Sequence, residues 1–284
     1  MGQVKAPGRS RALVLGGGGI TGIAWEVGVL AGLASRGVDL GTADVVIGSS
    51  AGAFVGAALA SGYDMQRLFQ AQSEPNEVEM RVAATAEIWA AWGSAFTAGG
   101  ADPVRVGAAL GQFSRSTAPL MPLAQRHAIV SARLVTTEWP ATLRITVIDT
   151  ETGELRVLDA ASGVSLLDAA SATGAVPGIW PPVSFQSSSW IDGGMVSTTN
   201  ARLATGYERV VVLAPMPAGL GAIPGAAQDL SELGEHVRGF LISPDEASVE
   251  AIGTNPYDAD RRGAVAKAGW AQATAVTEQV RLMW

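Results

Sequence analysis

Cysteine is absent from this 284-residue sequence, and histidine occurs only twice, as His127 and His236. Without cysteine there is no disulfide, no thiolate nucleophile and no zinc site with cysteine ligands. Two histidines are too few for a three-histidine catalytic metal site. We therefore predict a protein that works without a metal ion or a cofactor.

Charged residues are also scarce, and negative charge dominates. They make up 16% of the chain, with 26 acidic against 19 basic side chains and a formal net charge of −7. An acidic chain without a basic run is a poor partner for nucleic acid or for anionic lipid head groups. No nucleic-acid partner is therefore expected.

Long uninterrupted hydrophobic runs are missing as well. The most apolar stretch, residues 210–227, contains three prolines and several glycines, so it does not read as the ~20-residue helix that crosses a membrane. Basic residues near the N-terminus precede an apolar run, as in a signal peptide, but the glycines at 16–19 break that run. The sequence thus predicts a cytoplasmic protein.

Short apolar runs alternate with helical stretches along the chain. Runs at 11–15 and 44–47 are typical of buried strands, and each is followed by a glycine turn and a helical stretch, at 22–35 and 51–61. This repetition predicts βαβ units, a mostly parallel sheet and one α/β domain. Further strands are predicted at 143–148, 154–158, 188–191, 209–213 and 237–242. Further helices are predicted at 164–172 and 259–281, and another is predicted to end at 230–234. The stretch 74–125 is less regular and is predicted to contain loosely packed helices.

Residues 48–52 read Gly-Ser-Ser-Ala-Gly, with Ser50 at the centre of a G-x-S-x-G pattern between a predicted strand and a predicted helix. In so sharp a turn Gly48 and Gly52 must lack side chains, and the serine hydroxyl lies at a helix N-terminus, which favours negative charge. We predict that Ser50 is a nucleophile, in preference to Ser49, which lacks the symmetric glycines. The alternative is an ordinary turn in which Ser50 caps the helix.

A second glycine-rich segment, residues 16–22, follows the first strand and opens the first helix. Its backbone N–H groups can approach an anion closely, either a phosphate or the oxyanion of acyl transfer. The segment also fits the G-x-G-x-x-G pattern of dinucleotide-binding proteins. That pattern requires an acidic residue after the second strand, whereas Asp39 and Asp44 precede it. A phosphate- or nucleotide-binding module is the non-enzymatic alternative.

Asp192 ends a predicted strand and precedes Gly193 and Gly194. The two glycines let the backbone approach another group closely, and the carboxylate can reach the end of a neighbouring strand. Taken alone, the pattern also fits an aspartate that caps its own turn.

Together these segments resemble the patatin-like phospholipase family. The matches are the glycine loop, the turn around Ser50, a proline-rich stretch at 170–182 and the turn after Asp192, all within a core at about residues 11–215. The resemblance implies a three-layer α/β/α fold with a mostly parallel central sheet, in a single domain over residues 1–284.

The resemblance also implies roles for the matched residues. Ser50 and Asp192 would form a catalytic dyad that hydrolyses acyl esters of lipids, and backbone amides of the glycine loop would form the oxyanion hole. The glycines concerned are Gly17, Gly18 and Gly19 in the hole, Gly48 and Gly52 in the turn, and Gly22, Gly193 and Gly194 elsewhere in the motifs.

Two departures from the family pattern bear on the substrate. The family usually carries arginine or lysine just before the last glycine of the loop, where this chain has Thr21. Because a cation there strengthens the positive field, we expect weaker oxyanion stabilisation, little effect of Thr21→Ala and a gain of about tenfold at most from Thr21→Arg. Residues 74–125, a possible lid, and 216–229 match nothing specific, so we expect them to shape the acyl pocket.

A serine–aspartate dyad has to work without histidine. An ordinary aspartate has a pKa of ~3.9, too low for an efficient base near neutral pH, so we expect burial near Trp190 and Ile191 to raise this pKa. The rival hypothesis is a triad of Ser50, Asp192 and His236, which has the chain order of α/β-hydrolases.

The expected partner is a lipid or another acyl-ester substrate. Trp89 and Trp92 are three residues apart and hence lie on one helical face. We expect them to pack in the core or the lid rather than to contact lipid. A chain this acidic binds a micelle or membrane through apolar area rather than charge, so such contact is expected to be transient.

Overall fold

The computed structural model describes residues 10–75, 78–80, 82–118 and 120–284. Its strands are β1 (Arg11–Leu15), β2 (Val45–Gly48), β3 (Leu143–Asp149), β4 (Leu155–Leu158), β5 (Val183–Phe185), β6 (Ser188–Asp192), β7 (Arg209–Leu213) and β8 (Arg238–Ile242). Its helices are α1 (Gly19–Ser35), α2 (Ala51–Ala60), α3 (Met65–Ala71), α4 (Ala86–Gly99), α5 (Pro103–Ser116), α6 (Leu123–Arg133), α7 (Leu166–Thr173), α8 (Ala226–Ser231), α9 (Glu246–Ile252) and α10 (Arg262–Met283).

The strands form one mixed sheet in the order β5-β6-β3-β2-β1-β7-β8, with β4 paired to β3. β2, β1, β7 and β8 run parallel, and their last residues are in register: Leu15 lies opposite Gly48 and Leu213, and Leu213 lies opposite Ile242. The loops that follow these strands therefore meet at one edge of the sheet, which is where ligands bind in open α/β folds.

Along one edge of β3, the paired strand changes from β2 to β6, and this brings the ends of β2 and β6 together. β2 pairs with β3 as far as Ile145, and β6 pairs with β3 from Val147 onward. β4 pairs with β3 across both stretches, so it occupies the opposite edge. Asp192, opposite Val147, consequently lies just beyond the point where β2 ends at Gly48.

The sheet is covered by helices on both faces, as the predicted three-layer α/β/α fold requires. Along β1, Leu13 and Leu15 pack in the cluster that includes α1 and α10. Ala12 and Val14 face the opposite layer, which includes α8. This alternation follows from the two-residue period of a strand. A further cluster joins α4 and α5 to the end of β3 and extends the molecule beside that edge.

The predicted elements agree with the structure except at their ends and among the shortest ones. α1 begins at Gly19, three residues before its predicted start, and the stretch 74–125 contains α4, α5 and the start of α6. α3, α9 and β5 were not predicted, because seven-residue helices and a three-residue strand are too short to show a hydrophobic period. Within the described ranges, no helix combines the length and the apolar composition needed to cross a bilayer.

Candidate active site

Ser50 lies in the turn between β2 and α2, with φ 52° and ψ −116°. A positive φ is unusual for a residue with a side chain, and such strain is typical of functional positions. The turn is held by two contacts: the Ser50 N–H donates to Thr173 Oγ1 at 2.9 Å, and the Gly52 N–H donates to the Gly16 carbonyl at 3.0 Å. The Ser50 side chain lines a cavity at this edge of the sheet.

The glycines that flank Ser50 lie too close to their neighbours for any side chain. A Cβ on Gly52 would lie 2.1 Å from the Leu15 carbonyl oxygen, and one on Gly48 would lie 2.6 Å from the Ala53 Cα. A residue with a side chain therefore does not fit at either position without displacing backbone.

Ser49 belongs to a separate polar network. It is fully buried, its Oγ lies 2.7 Å from Thr146 Oγ1, and it accepts a hydrogen bond from Asn200 Nδ2 at 2.9 Å. Of the two adjacent serines, Ser50 is the one that lines the cavity.

Asp192 lies next to Ser50, so the two predicted halves of the dyad meet. Its carboxylate accepts the Gly194 N–H at 2.7 Å, and the Ser50 hydroxyl is close enough to lower its pKa. Its own N–H donates to the Ala175 carbonyl at 3.2 Å. Asp192 is 3% exposed, yet it lines the same cavity as Ser50.

Burial raises the pKa of Asp192 to about 7. Hydrogen bonds from Ser50 and Gly194 and the positive charge of Arg126 act in the opposite direction. Burial dominates because the carboxylate loses its hydration. A pKa near neutrality is the value that suits a general base at physiological pH.

The hydrophobic neighbours expected to bury Asp192 are different from those in the structure. Trp190 packs in the core with a stacked aromatic partner, and neither Trp190 nor Ile191 lines the cavity. Val176 and Met195 do line it beside Asp192. The pKa of Asp192 is thus raised, as expected. The apolar side chains that line the cavity with Asp192 are, however, Val176 and Met195 instead of Trp190 and Ile191.

The three glycines predicted for the oxyanion hole line the cavity. Gly17 was predicted as a third donor, but its N–H donates to the Thr198 carbonyl at 2.8 Å. Within the described residues, the N–H groups of Gly18 and Gly19 bond to no acceptor, and both residues line the cavity at the N-terminus of α1. Gly19 has φ 63°, and a Cβ there would lie 2.5 Å from the Pro256 carbonyl oxygen.

The remaining motif glycines are points of close packing. A Cβ on Gly193 would lie 2.4 Å from Thr146 Oγ1, and one on Gly22 would lie 3.3 Å from the Pro215 Cβ. Gly194 contributes the N–H that holds the Asp192 carboxylate. Of these three glycines, Gly194 also lines the cavity.

Thr21 is fully buried. Its N–H donates to the Pro256 carbonyl at 3.0 Å, and its hydroxyl lies 3.3 Å from the same oxygen. An arginine side chain has no room at this position, and overpacking of this kind displaces neighbouring backbone. We therefore no longer expect Thr21→Arg to raise the rate.

His236 lies far from the dyad. It is exposed in the turn before β8, at the edge where the parallel strands begin, since Arg238 pairs with Arg209 there. Ser50 follows the opposite edge, where the strands end, and a five-residue strand spans ~13 Å between its end residues. This separation argues against the triad. The other histidine, His127, lies on α6 and is 3.6 Å from an Asp168 carboxylate oxygen.

His236→Ala is accordingly expected to keep kcat/KM on a short ester within about twofold of the native value, because this side chain lies at the opposite edge of the sheet from Ser50 and cannot act there as a base. The measurement is steady-state hydrolysis of a p-nitrophenyl ester. A loss as large as that from removing the Ser50 hydroxyl would restore the triad hypothesis.

The cavity has a volume of about 520 Å³ and walls that are mainly apolar. Both segments expected to shape the acyl pocket contribute to it, and a third segment, residues 254–257, was not predicted. The lining side chains outside the motifs include Trp89, Trp92, Phe96, Met216, Leu220 and Tyr257.

Trp89 and Trp92 share a helix face as predicted, but their environments differ. Their rings make an edge-to-face contact with centroids 4.9 Å apart. Trp92 is buried and donates from Nε1 to the Pro177 carbonyl at 3.0 Å. Trp89 is 56% exposed, so the expected packing holds for Trp92 and fails for Trp89.

Comparison with solved structures finds VipD from Legionella pneumophila, with a TM-score of 0.49 and 16% identity over 96% of this chain and 67% of that one. It also finds the type III effector ExoU, with a TM-score of 0.46 and 17% identity over 97% of this chain and 54% of that one. A structure of ExoU with SpcU from Pseudomonas aeruginosa matches at 0.39 and 16% identity, over 95% and 53% of the two chains. The chain thus spans about half the length of ExoU.

A search among curated proteins returns no match. The family model described as patatin-like phospholipase matches residues 13–205, which is more than half of the chain. That range includes the glycine loop, the turn around Ser50 and Asp192. The chain therefore belongs to the patatin-like phospholipase family, a family of lipid acyl hydrolases.

Proposed function

We propose that the protein hydrolyses acyl ester bonds of lipids with a Ser50–Asp192 dyad and an oxyanion hole formed by the amides of Gly18 and Gly19. The observation that carries this proposal is that three functional groups line the same cavity. A strained serine, a buried aspartate and a helix N-terminus with free N–H groups lie together there. These are the nucleophile, base and electrophilic stabiliser that acyl transfer requires.

In the first half of the proposed reaction, the Ser50 oxygen attacks the ester carbonyl while its proton passes to Asp192. The carbonyl oxygen becomes an oxyanion, which the N–H groups of Gly18 and Gly19 stabilise together with the α1 N-terminus. The tetrahedral intermediate then collapses. The leaving alcohol takes the proton from Asp192, and an acyl group remains on Ser50.

In the second half, water attacks the acyl-enzyme. Asp192 accepts a proton from this water, and the same two amides hold the second oxyanion. Collapse releases the carboxylic acid, and the proton returns to the Ser50 oxygen. One carboxylate therefore serves as base in each attack and as acid in each collapse.

The cavity walls favour an acyl chain as the bound group. Aromatic and aliphatic side chains line a space of about 520 Å³ next to Ser50, and apolar area of this kind binds hydrocarbon by its removal from water. We therefore propose that the acyl part of the substrate occupies this cavity.

We further propose that Trp89 and Met216 contact the lipid surface from which the substrate enters. Both line the cavity and remain exposed, by 56% and 41%. A tryptophan with one face packed and one face exposed suits a membrane–water interface. This contact relies on apolar area, which matches the acidic character of the chain.

Trp89→Ala should lower the hydrolysis of phospholipid vesicles by about tenfold but that of a monomeric short ester by about twofold, because only the vesicle substrate uses the lost interfacial area. Leu282→Ala is the matched control. Leu282 is 81% exposed and lies near Trp284, which contacts Arg209 at the opposite edge of the sheet. Equal losses on both substrates would mean that Trp89 only shapes the cavity.

Labelling with a fluorophosphonate tests the proposed function directly. We expect one covalent adduct per chain, on Ser50, and none on the Ser50→Ala variant, because the probe reacts with activated serines. Mass spectrometry of the labelled peptide identifies the site. Binding of inorganic phosphate without any adduct would favour the phosphate-binding alternative. Lipid profiling of released products then identifies the preferred ester.

A further inference from the structure

Arg126 is a buried cation that the proposed reaction does not yet use. It lies on α6 and is 2% exposed. Its guanidinium carbon lies 4.1 Å from the centroid of the Trp180 ring. Within the described residues, its Nε and Nη1 groups are buried without a hydrogen-bond partner. Burying a charge without full pairing is destabilising, which argues against a purely structural role for Arg126.

The position of Arg126 connects it to the dyad through one short segment. Its Nη2 lies 3.5 Å from the Gly174 carbonyl oxygen. The residues on either side of Gly174 hold the dyad: Thr173 Oγ1 accepts the Ser50 N–H, and the Ala175 carbonyl accepts the Asp192 N–H. The 173–175 segment therefore contacts the nucleophile on one side, the base on the other and Arg126 in the middle.

A small cavity of about 20 Å³ separates Arg126 from the catalytic turn. Ser50, Gly19, Trp180 and Tyr257 line it together with Arg126 and Arg133. The space is about that of a single water molecule, and Arg126 itself is 2% exposed, so its charge lies in largely desolvated surroundings. In such surroundings the interaction between charges is much stronger than at the surface.

Two acidic side chains act on Arg126: Glu79, which is already paired, and Asp192, which belongs to the proposed dyad. Arg133, on the same helix, pairs with Glu79 at 2.7 Å, so the charge of Glu79 is largely balanced. Arg133 repels Arg126, whereas Glu79, Tyr257 and Asp192 favour its charged form, in decreasing order. Burial and Arg133 lower the pKa of Arg126 to about 9, which leaves the guanidinium protonated at neutral pH.

We propose that Arg126 is a positioning residue of this active site, whose buried charge acts beside the 173–175 segment to keep Asp192 ionised as the base. This inference rests on the proposed dyad. The groups that face Asp192 are the Ser50 hydroxyl, the Gly194 N–H, the Tyr257 phenol and Arg126. Arg126 is the cation among them, so it supplies a positive charge at a site where the glycine loop has only Thr21.

The test compares Arg126→Met, which removes the charge at similar volume, with Arg126→Lys, which keeps it. A positive charge near a carboxyl group lowers its pKa, so removal of the Arg126 charge should shift the rising limb of the kcat/KM profile to higher pH. We expect a severalfold loss at pH 6.5 for Arg126→Met, a smaller loss at pH 9, and recovery of the native midpoint in Arg126→Lys. Arg126→Gln replaces the methionine variant if that one fails to fold.

Arg133→Met is the matched control. Arg133 lies on the same helix and also stacks on an aromatic ring, that of Phe54 at 4.7 Å, but its charge is already paired. We expect its rising limb to stay at the native midpoint. An unchanged midpoint in both Arg126→Met and Arg126→Gln, or the same shift in Arg133→Met, would overturn the assignment of Arg126.

Fluorophosphonate labelling at Ser50 separates the two levels of the hypothesis. If native Ser50 is labelled and the profile of Arg126→Met does not move, the inference about Arg126 fails and the hydrolase stands. If native Ser50 is not labelled, the proposed dyad fails and the inference fails with it. Thermal unfolding adds a further readout, since replacement of a poorly paired buried charge by methionine should leave stability unchanged or raise it.

Discussion

Ser50→Ala is expected to lower kcat/KM on a short p-nitrophenyl ester by ~10³-fold or more while leaving the fold intact. The loss corresponds to at least about 4 kcal/mol of activation free energy. It is large because the first step requires a covalent bond to the Ser50 oxygen, and the variant has no group that can replace it. The fold should persist, since the turn is held by backbone contacts to Thr173 and Gly16.

Ser49→Ala is the control that separates the two adjacent serines. Ser49 is bonded to Thr146 and Asn200 inside the core, so its removal should lower the free energy of unfolding by about 1–3 kcal/mol. Covalent labelling of Ser50 by a fluorophosphonate should persist in this variant. If Ser50→Ala turned over the ester at the native rate, the nucleophile would lie elsewhere.

The features of the site that depend on local sequence were predictable. The turn around Ser50 follows from two glycines placed symmetrically between an apolar strand and an apolar helix. The close contacts that require glycine there include residues within a few positions of the serine. Gly48, for example, lies too close to the Ala53 backbone to carry a Cβ. The same holds for the glycine loop, because an N–H-rich helix start is a local feature.

The meeting of Ser50 with Asp192 was predictable only through the family resemblance. It depends on β6 taking the edge of β3 at Val147, just after β2 leaves it at Ile145. No local sequence pattern predicts that β6 replaces β2 along this edge of β3, because strand pairing is a long-range contact. The isolated Asp-Gly-Gly sequence therefore does not distinguish an aspartate that caps its own turn from one that acts as a catalytic base.

Other features of the site depend entirely on distant contacts and were missed or misjudged. The Gly17 amide is taken by the Thr198 carbonyl, and Thr21 is closed in by Pro256, 235 residues away. Arg126 looks in sequence like one more basic residue of an amphipathic helix. Its burial appears only when α6 packs beside the 173–175 segment.

Asp192→Asn should lower kcat/KM by at least ~10²-fold, the usual contribution of a general base. The asparagine keeps the shape of the side chain and an oxygen for the Gly194 N–H, but it cannot accept the Ser50 proton. In the native protein, the kcat/KM profile should rise through one ionisation near pH 7, because burial raises the pKa of Asp192 to about 7 and the ionised form is the base. This limb should be missing from the variant.

The same substitution should have the opposite effect on stability. The folded pKa of Asp192 lies above the ordinary value of 3.8. Between these two values, the folded state therefore holds a proton that the unfolded chain releases. Folding is favoured by this proton at low pH, and the advantage is lost as the pH rises toward 7. Above pH 7 the folded protein carries a buried carboxylate, and Asp192→Asn removes that cost.

We therefore expect Asp192→Asn to raise the free energy of unfolding at pH 8 by a few kcal/mol at most, and to change it little near pH 4. Denaturant unfolding of both proteins at both pH values measures the effect. Other buried acids, such as Glu26 and Asp229, are common to the two proteins and cancel in the difference. If Asp192 only capped its turn, Asp192→Asn would keep the native activity and would lower the free energy of unfolding. Loss of activity together with a gain of stability at pH 8 is the pattern of a base held in a buried site for catalysis.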